Sequence, residues 1–65
     1  MSQKMNIKAL REAKGWSQRE LGEKVGVSDV SVCHWENGRK FPSARTLLLL
    51  CAAFDCGLND LFTKE

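Results

Sequence analysis

The sequence has no tyrosine, a single proline and no segment dominated by β-branched residues. Strands depend on β-branched and aromatic side chains, so this composition gives little basis for a β-sheet. The longest apolar run, residues 47–54, is far shorter than the roughly 20 residues that a membrane-spanning helix needs. We therefore expect an all-α domain with no membrane partner.

Metal-binding and secretion signals are also missing. The three cysteines form no C-x-x-C pair, and only one histidine accompanies them. Metal ligands cluster at short spacings, so we expect no metal site and no cofactor. The first six residues lack the apolar stretch of a secretion signal. The sequence thus predicts a cytoplasmic protein with Cys33, Cys51 and Cys56 as reduced thiols.

The chain length allows one small domain, spanning residues 1–65. A chain of this size buries only roughly 60% of its unfolded surface, which leaves one core and no cleft for catalysis or a small-molecule substrate. The net charge of +2 is too small to indicate a nucleic-acid partner by itself. Ser17 and Glu20 have the spacing of a capping box rather than of a catalytic pair. We therefore expect no enzymatic activity.

Cap and stop residues divide the chain into five short helices. Ser17, Ser28 and Ser43 have the side chains and positions of N-caps, and Gly57 is a weaker N-cap. Gly15 and Gly26 are suited to end the preceding helices in a left-handed conformation. The predicted helices are 5–14, 18–25, 29–36, 44–54 and 58–62.

Apolar residues at helical spacing predict one shared core. The expected core residues are Ile7, Leu10, Leu21, Val25, Val27, Val32, Trp35, Leu47, Leu50, Cys51, Phe54, Leu58, Leu61 and Phe62. Gly22 is placed where helices 2 and 3 cross, and its small size would let them approach closely. The linker of residues 26–28 is so short that these helices must cross steeply, leaving the outer face of helix 3 free.

The spacing of these residues resembles the Cro/cI-type (Xre) helix-turn-helix family over about residues 6–62. The matching residues are Ile7-Lys8-x-Leu10-Arg11, Gly15-Trp16-Ser17-Gln18-x-Glu20-Leu21, Gly26-Val27-Ser28, Trp35-Glu36-Asn37-Gly38, Pro42-Ser43, Leu47-x-x-Leu50, Phe54 and Leu61-Phe62. The resemblance implies a compact five-helix, lambda-repressor-like domain that regulates transcription, as repressor or activator. Helix 3 would enter the major groove of a palindromic operator bound by a dimer. Met1 and the complete motif favour a chain that stands alone.

The resemblance also assigns residues to roles. Gln18 would bind a backbone phosphate, and Arg11 and Glu36 would form a structural ion pair. The outer face of helix 3 would present Ser28, Asp29, Val30, Ser31 and His34 to the bases. The loop after helix 3 would hold the flanking phosphate through Asn37, Arg39 and Lys40. Gln18 also suits any exposed helix start, and the two cations also suit a solvated loop.

Three recognition positions depart from the Gln, Arg or Lys that the family often carries there. Asp29 could accept a hydrogen bond from a cytosine N4 amine, or it could only complement the helix dipole. Val30 could pack on a thymine methyl group. His34 could donate to a guanine edge or a phosphate, or it could be a solvated side chain.

Leu48, Leu49 and Ala52 form a candidate apolar patch on helix 4. Leu49 lies nearly opposite the core stripe on a helical wheel, and Leu48 lies on its flank. We expect a homodimer interface built from helix 4 or 5; another protein or a longer parent chain are the alternative occupants.

The alternative function is a protein-interaction module, such as an antitoxin or anti-repressor. Asp29 and the leucine patch favour this alternative, whereas residues 37–40 argue for DNA. Cys33, in helix 3, is either a redox switch or a small, partly buried thiol.

Overall fold

The computed structural model describes residues 4–63, in which four α-helices and one 3-10 helix surround a single core. The elements in chain order are β1 (Lys4–Met5), α1 (Ile7–Ala13), α2 (Gln18–Val25), α3 (Asp29–Glu36), α4 (Ala44–Phe54), the 3-10 helix (Leu58–Leu61) and β2 (Phe62–Thr63). The all-α class is confirmed, and α2, α3 and α4 have the predicted bounds. Within the described residues, no helix has both the length and the hydropathy needed to cross a membrane.

The two ends of the described chain differ from the prediction. Residue 5 does not begin the first helix, because Met5 pairs with Phe62 in a short antiparallel ladder. The last helix is a 3-10 helix that ends at Leu61, because Phe62 adopts an extended conformation and joins that ladder. Both differences come from pairing between residues that are far apart in the sequence.

Serine caps fix where the three central helices begin. The Ser17 hydroxyl accepts the N–H of Glu20 at 3.0 Å, while the Glu20 carboxylate accepts the N–H of Ser17 at 2.8 Å. Ser28 and Ser43 accept the N–H three residues onward in the same way. Each such cap contributes about 1 kcal/mol to stability, so together they set the helix boundaries strongly.

The core is built from every α-helix and from the 3-10 helix. Its buried members are Ile7, Leu21, Val25, Val32, Trp35, Leu50, Phe54 and Leu61. Of the other expected core residues, Leu10, Val27, Leu47, Cys51 and Phe62 pack against this cluster while partly exposed. Leu58 is 48% exposed, so its predicted core position is wrong. The 3-10 helix reaches the core with its last residue, Leu61, and leaves Leu58 outside.

An aromatic stack closes one edge of the core. The rings of Trp16 and Phe54 stack with their centroids 5.7 Å apart. The ammonium of Lys24 lies 4.5 Å from the centroid of the Trp16 ring, within the range of a cation–π interaction. This cluster fixes the turn between α1 and α2 against the end of α4.

At Gly22, α2 lies so close to the main chain of the turn before α3 that a larger side chain would not fit. A Cβ atom at this position would lie 2.6 Å from the carbonyl oxygen of Val27 and 3.2 Å from the carbonyl carbon of Ser28. Because both neighbours are main chain, they cannot move without shifting the turn. Gly26 makes that turn with φ of +78°, a conformation that glycine adopts without steric cost. Both expectations from the sequence are confirmed.

We therefore expect Gly22→Ala to destabilise the protein by about 1–3 kcal/mol, because the added methyl group overpacks the turn. Urea denaturation of the variant and the wild type measures this difference. Gly57→Ala is the matched control, since a Cβ there meets no atom within 4 Å, and it should change stability by less than about 0.5 kcal/mol. Equal stabilities of Gly22→Ala and the wild type would contradict the packing account.

Candidate nucleic-acid interface

The α3 helix has an outer face that is accessible to solvent and mostly polar, and an inner face that is buried. Val32 and Trp35 anchor it in the core. All five recognition residues predicted from the sequence keep some exposure to solvent. Ser28, Asp29 and Val30 are exposed, and Ser31 and His34 are half-buried. The structure therefore gathers these residues at the N-terminus and along the accessible side of α3.

Two of these residues also have structural roles at the start of the helix. The Ser28 hydroxyl accepts the N–H of Ser31 at 3.3 Å, which caps α3. Asp29 lies in the first turn, where a carboxylate interacts favourably with the helix dipole. Within residues 4–63 the Asp29 carboxylate forms no salt bridge. It therefore remains open to a partner outside the domain.

The loop after α3 reverses the direction of the chain and carries two cationic side chains. Gly38 turns with φ of +74°, and the main-chain N–H of Arg39 donates to the His34 carbonyl at 2.9 Å. Asn37, Arg39 and Lys40 are all exposed. The loop therefore presents two positively charged side chains beside the C-terminal end of the recognition helix.

A bidentate ion pair joins the first and third helices. Arg11 Nε donates to Glu36 Oε2 at 2.7 Å, and Arg11 Nη2 donates to Glu36 Oε1 at 3.2 Å. Arg11 Nη1 also donates to the main-chain carbonyl of Trp16 at 2.7 Å. The ion pair predicted from the sequence is confirmed, and it reaches the turn between α1 and α2.

The Arg11–Glu36 pair is shielded from solvent. Only 11% of the Arg11 side chain and 4% of the Glu36 side chain are exposed. The hydrogen bond to Glu36 raises the pKa of Arg11, and this effect outweighs the opposing effect of burial. A raised pKa means that the contribution of the cation to stability is lost only when the pH rises through that value. The Arg11 guanidinium therefore stays charged at every pH used for DNA binding.

Gln18 joins the same network, which the sequence did not indicate. Its Nε2 atom donates to Glu36 Oε1 at 3.0 Å. Because an ionised carboxylate can only accept, the amide nitrogen of Gln18 must face Glu36. One N–H of that amide is engaged, and the second N–H and the carbonyl oxygen remain for another partner.

The start of α2 also offers main-chain donors. Its capping box takes the N–H groups of Ser17 and Glu20. The N–H groups of Gln18 and Arg19 are left for an outside acceptor, since the first turn of a helix cannot satisfy them internally. An anion placed there also benefits from the positive end of the helix dipole.

The predicted apolar patch on α4 is exposed. Which of its two leucines is the more exposed differs from the expectation. Leu48 is 64% exposed and Leu49 is 41% exposed. Ala52, one helical turn after Leu48, is also exposed. A helical wheel predicts Leu49 nearly opposite the core stripe, but Leu49 lines a shallow surface depression together with Trp16 and Lys24. Leu48 is therefore the more accessible residue of the pair.

Two further side chains complete the description of this surface. Phe41 is 63% exposed, so an apolar ring stands next to the basic loop. Its position after two cations and before a proline places it in the predicted loop, and this is the signal in the sequence for an exposed ring. Cys33 is half-buried in α3, where its Sγ accepts from the Asn37 amide at 3.3 Å.

We expect Arg11→Met to destabilise the protein by about 3 kcal/mol, because it leaves the Glu36 carboxylate buried without its cation. Thermal and urea denaturation measure the loss. Arg19→Met is the control: Arg19 is 82% exposed and pairs with Glu23 at 3.7 Å, so its removal should cost less than about 1 kcal/mol. Similar losses of stability in the two variants would show that the buried ion pair contributes no more to stability than the exposed one.

Comparison with known proteins agrees with this geometry. The family described as Helix-turn-helix has a model that matches residues 7–61. The uncharacterised HTH-type transcriptional regulator YgzD of Bacillus subtilis is 40% identical over 62 residues, which cover 95% of this chain and 94% of the relative.

Two solved structures are similar to this chain over most of its length. The c2 repressor of Salmonella phage P22, in complex with a synthetic operator, has a TM-score of 0.82 and 36% identity, covering 86% of this chain and 85% of that one. The restriction-modification controller protein C.AhdI from Aeromonas hydrophila has a TM-score of 0.80 and 33% identity, covering 88% and 86%. This chain thus belongs to the Cro/cI-type helix-turn-helix family of DNA-binding transcription regulators.

Proposed function

We propose that this protein is a sequence-specific DNA-binding repressor that inserts α3 into the major groove. One observation carries the proposal: two features suited to phosphate meet at the C-terminal end of a helix whose outer face is exposed. Gln18, at the N-terminus of α2, bonds Glu36, the last residue of α3, and the loop of Arg39 and Lys40 follows Glu36 directly. Phosphate contacts beside a recognition helix fix its register and orientation in the groove.

Phosphate binding would supply most of the affinity. Arg39 and Lys40 attract the DNA and replace counterions, so the affinity should fall with a slope of roughly −0.9 per phosphate neutralised. Gln18 carries no charge and adds a directed hydrogen bond, with its amide held in place by Glu36. The basic loop would thus supply attraction, and Gln18 would supply alignment.

The base contacts would come from the exposed side of α3. Val30 is 57% exposed, which suits contact with a thymine methyl group. The open carboxylate of Asp29 is an acceptor for a cytosine N4 amine, and His34 can donate to a guanine edge. This combination favours an operator with a mixed, rather than purely guanine-rich, half-site.

The relatives support repression as the biological outcome. The P22 c2 protein is a repressor whose structure contains its operator, and C.AhdI is a controller protein. We propose by analogy that this domain acts by binding, without catalysis, and in the cytoplasm where bacterial and phage DNA is transcribed.

We further propose that two copies bind a palindromic operator through the patch of Leu48, Leu49 and Ala52. Two adjacent exposed leucines on one helix are unfavourable in water and suit burial against a second copy. The dimer would separate its recognition helices by about 34 Å, one turn of the duplex.

A protein-interaction module remains the second candidate, favoured by the open carboxylate of Asp29 and the same leucine patch. Fluorescence anisotropy with a pool of random-core duplexes, from low to physiological salt, separates the two candidates when the bound DNA is sequenced. Salt-sensitive binding that enriches a palindrome supports the dimeric repressor. The absence of binding even at low salt would contradict the DNA proposal and favour the protein partner.

The basic loop and the base-reading face of α3 should respond differently to substitution. Arg39→Ala should weaken binding to all duplexes by a similar factor and reduce the magnitude of the salt slope by about 1, because it removes one phosphate contact. His34→Ala should change which sequences are enriched, with a smaller effect on the slope. If both variants only lower the affinity equally for every sequence, the division of roles is wrong.

The patch on α4 makes a separate prediction about assembly. Leu48→Glu should raise the dimer dissociation constant by more than about 100-fold, because the interface would have to bury an unpaired charge. Leu58→Glu is the matched control, since Leu58 is also exposed but lies outside α4. Sedimentation equilibrium at micromolar concentration measures both, and a wild-type protein that is only monomeric would contradict the interface.

A further inference from the structure

The Cys51 and Cys56 residues lie on either side of the turn that ends α4. The main-chain N–H of Cys56 donates to the carbonyl of Cys51 at 3.0 Å. Given standard bond lengths on either side of that hydrogen bond, the two Cα atoms are no more than about 7 Å apart. A disulfide cannot form across a longer Cα separation, so the backbone meets its first requirement.

The side chains of the two cysteines are also neighbours. Both are half-buried and pack against the hydrophobic core. The main-chain bonds from Cys56 to Cys51 and from Asp55 to Ala52 are the pair that defines a Schellman motif. In that motif the side chains at the positions of Cys51 and Cys56 commonly contact each other. Burial, together with the nearby Cys51 and the carboxylates of Asp60 and Asp55, raises the pKa of the Cys56 thiol.

The turn between the cysteines is part of the fold. Asp55 adopts the left-handed conformation, with φ of 54° and ψ of 52°, and its N–H donates to the Ala52 carbonyl at 3.3 Å. This reversal returns Cys56 to the last turn of α4. The main chain therefore holds the two cysteines close together without any ordering of a mobile loop.

We propose that Cys51 and Cys56 are a redox pair that closes into an intramolecular disulfide in the presence of hydrogen peroxide. One thiolate attacks a peroxide oxygen, the O–O bond breaks, and a sulfenic acid and water form. The second thiolate then attacks the sulfenic sulfur, so that the S–S bond forms and the S–O bond breaks, releasing a second water. The two sulfurs lose two electrons to the peroxide, and both thiol protons end in water.

A reducing dithiol reopens the bond by thiol–disulfide exchange and is itself oxidised to a disulfide. The closed bond cross-links the turn that connects α4 to the 3-10 helix, which carries the buried Leu61. It limits the conformations of the unfolded chain, so the oxidised protein should be the more stable form.

Cys33 provides an internal reference. It lies in α3, and its Sγ accepts from the Asn37 amide. The reduced full-length protein is treated with hydrogen peroxide, unfolded, alkylated with N-ethylmaleimide and weighed intact. Reduced protein should gain three adducts, whereas oxidised protein should lose two hydrogen atoms and gain one adduct, at Cys33.

Cys51→Ser and Cys56→Ser are the matched variants, and neither should lose two hydrogen atoms on oxidation. Cys33→Ser should still lose them. Three adducts on the peroxide-treated wild type, or disulfide-linked dimers in place of the internal bond, would overturn the proposal.

Thermal denaturation tests whether the disulfide stabilises the folded protein. The oxidised form of Cys33→Ser should melt on the order of 10 °C above its reduced form. An equal or lower Tm would show that the bond strains the turn and does not secure it.

Discussion

The carboxylate of Glu36 joins segments that are far apart in the chain. It accepts from Arg11 on α1 and from Gln18 at the start of α2, and it stands at the end of α3. Arg11 extends the network to the Trp16 carbonyl. Since a buried carboxylate left without donors is unfavourable, these hydrogen bonds stabilise the relative arrangement of α1, α2 and α3. The orientation of the recognition helix depends on that arrangement.

The same network reconciles a buried anion with a surface proposed to bind a polyanion. Arg11 neutralises Glu36 inside the domain, where only 4% of the carboxylate side chain meets solvent. The carboxylate can then orient the Gln18 amide without repelling a phosphate, because its charge is screened by a bidentate cation. The proposed phosphate contact and the stability of the domain thus share one interaction.

Much of this could be predicted from the sequence, where the determinants are local. Ser17 with Glu20, Ser28 and Ser43 set three helix starts, and Gly22 and Gly26 set the turn. Other features depend on distant partners. The pairing of Met5 with Phe62 shortened α1, the 3-10 helix left Leu58 outside the core, and Gln18 bonds a carboxylate 18 residues away. No periodicity in one segment contains that information.

A double-mutant cycle in operator affinity tests the account most directly. Glu36→Gln keeps a polar side chain of the same size but cannot fully satisfy both Arg11 and Gln18. If Glu36 positions Gln18 for a phosphate, Glu36→Gln weakens binding in the wild type and adds no loss in the Gln18→Ala background, once the folded fraction is matched. The same loss in both backgrounds would contradict the account, because Glu36 would then act through the fold alone.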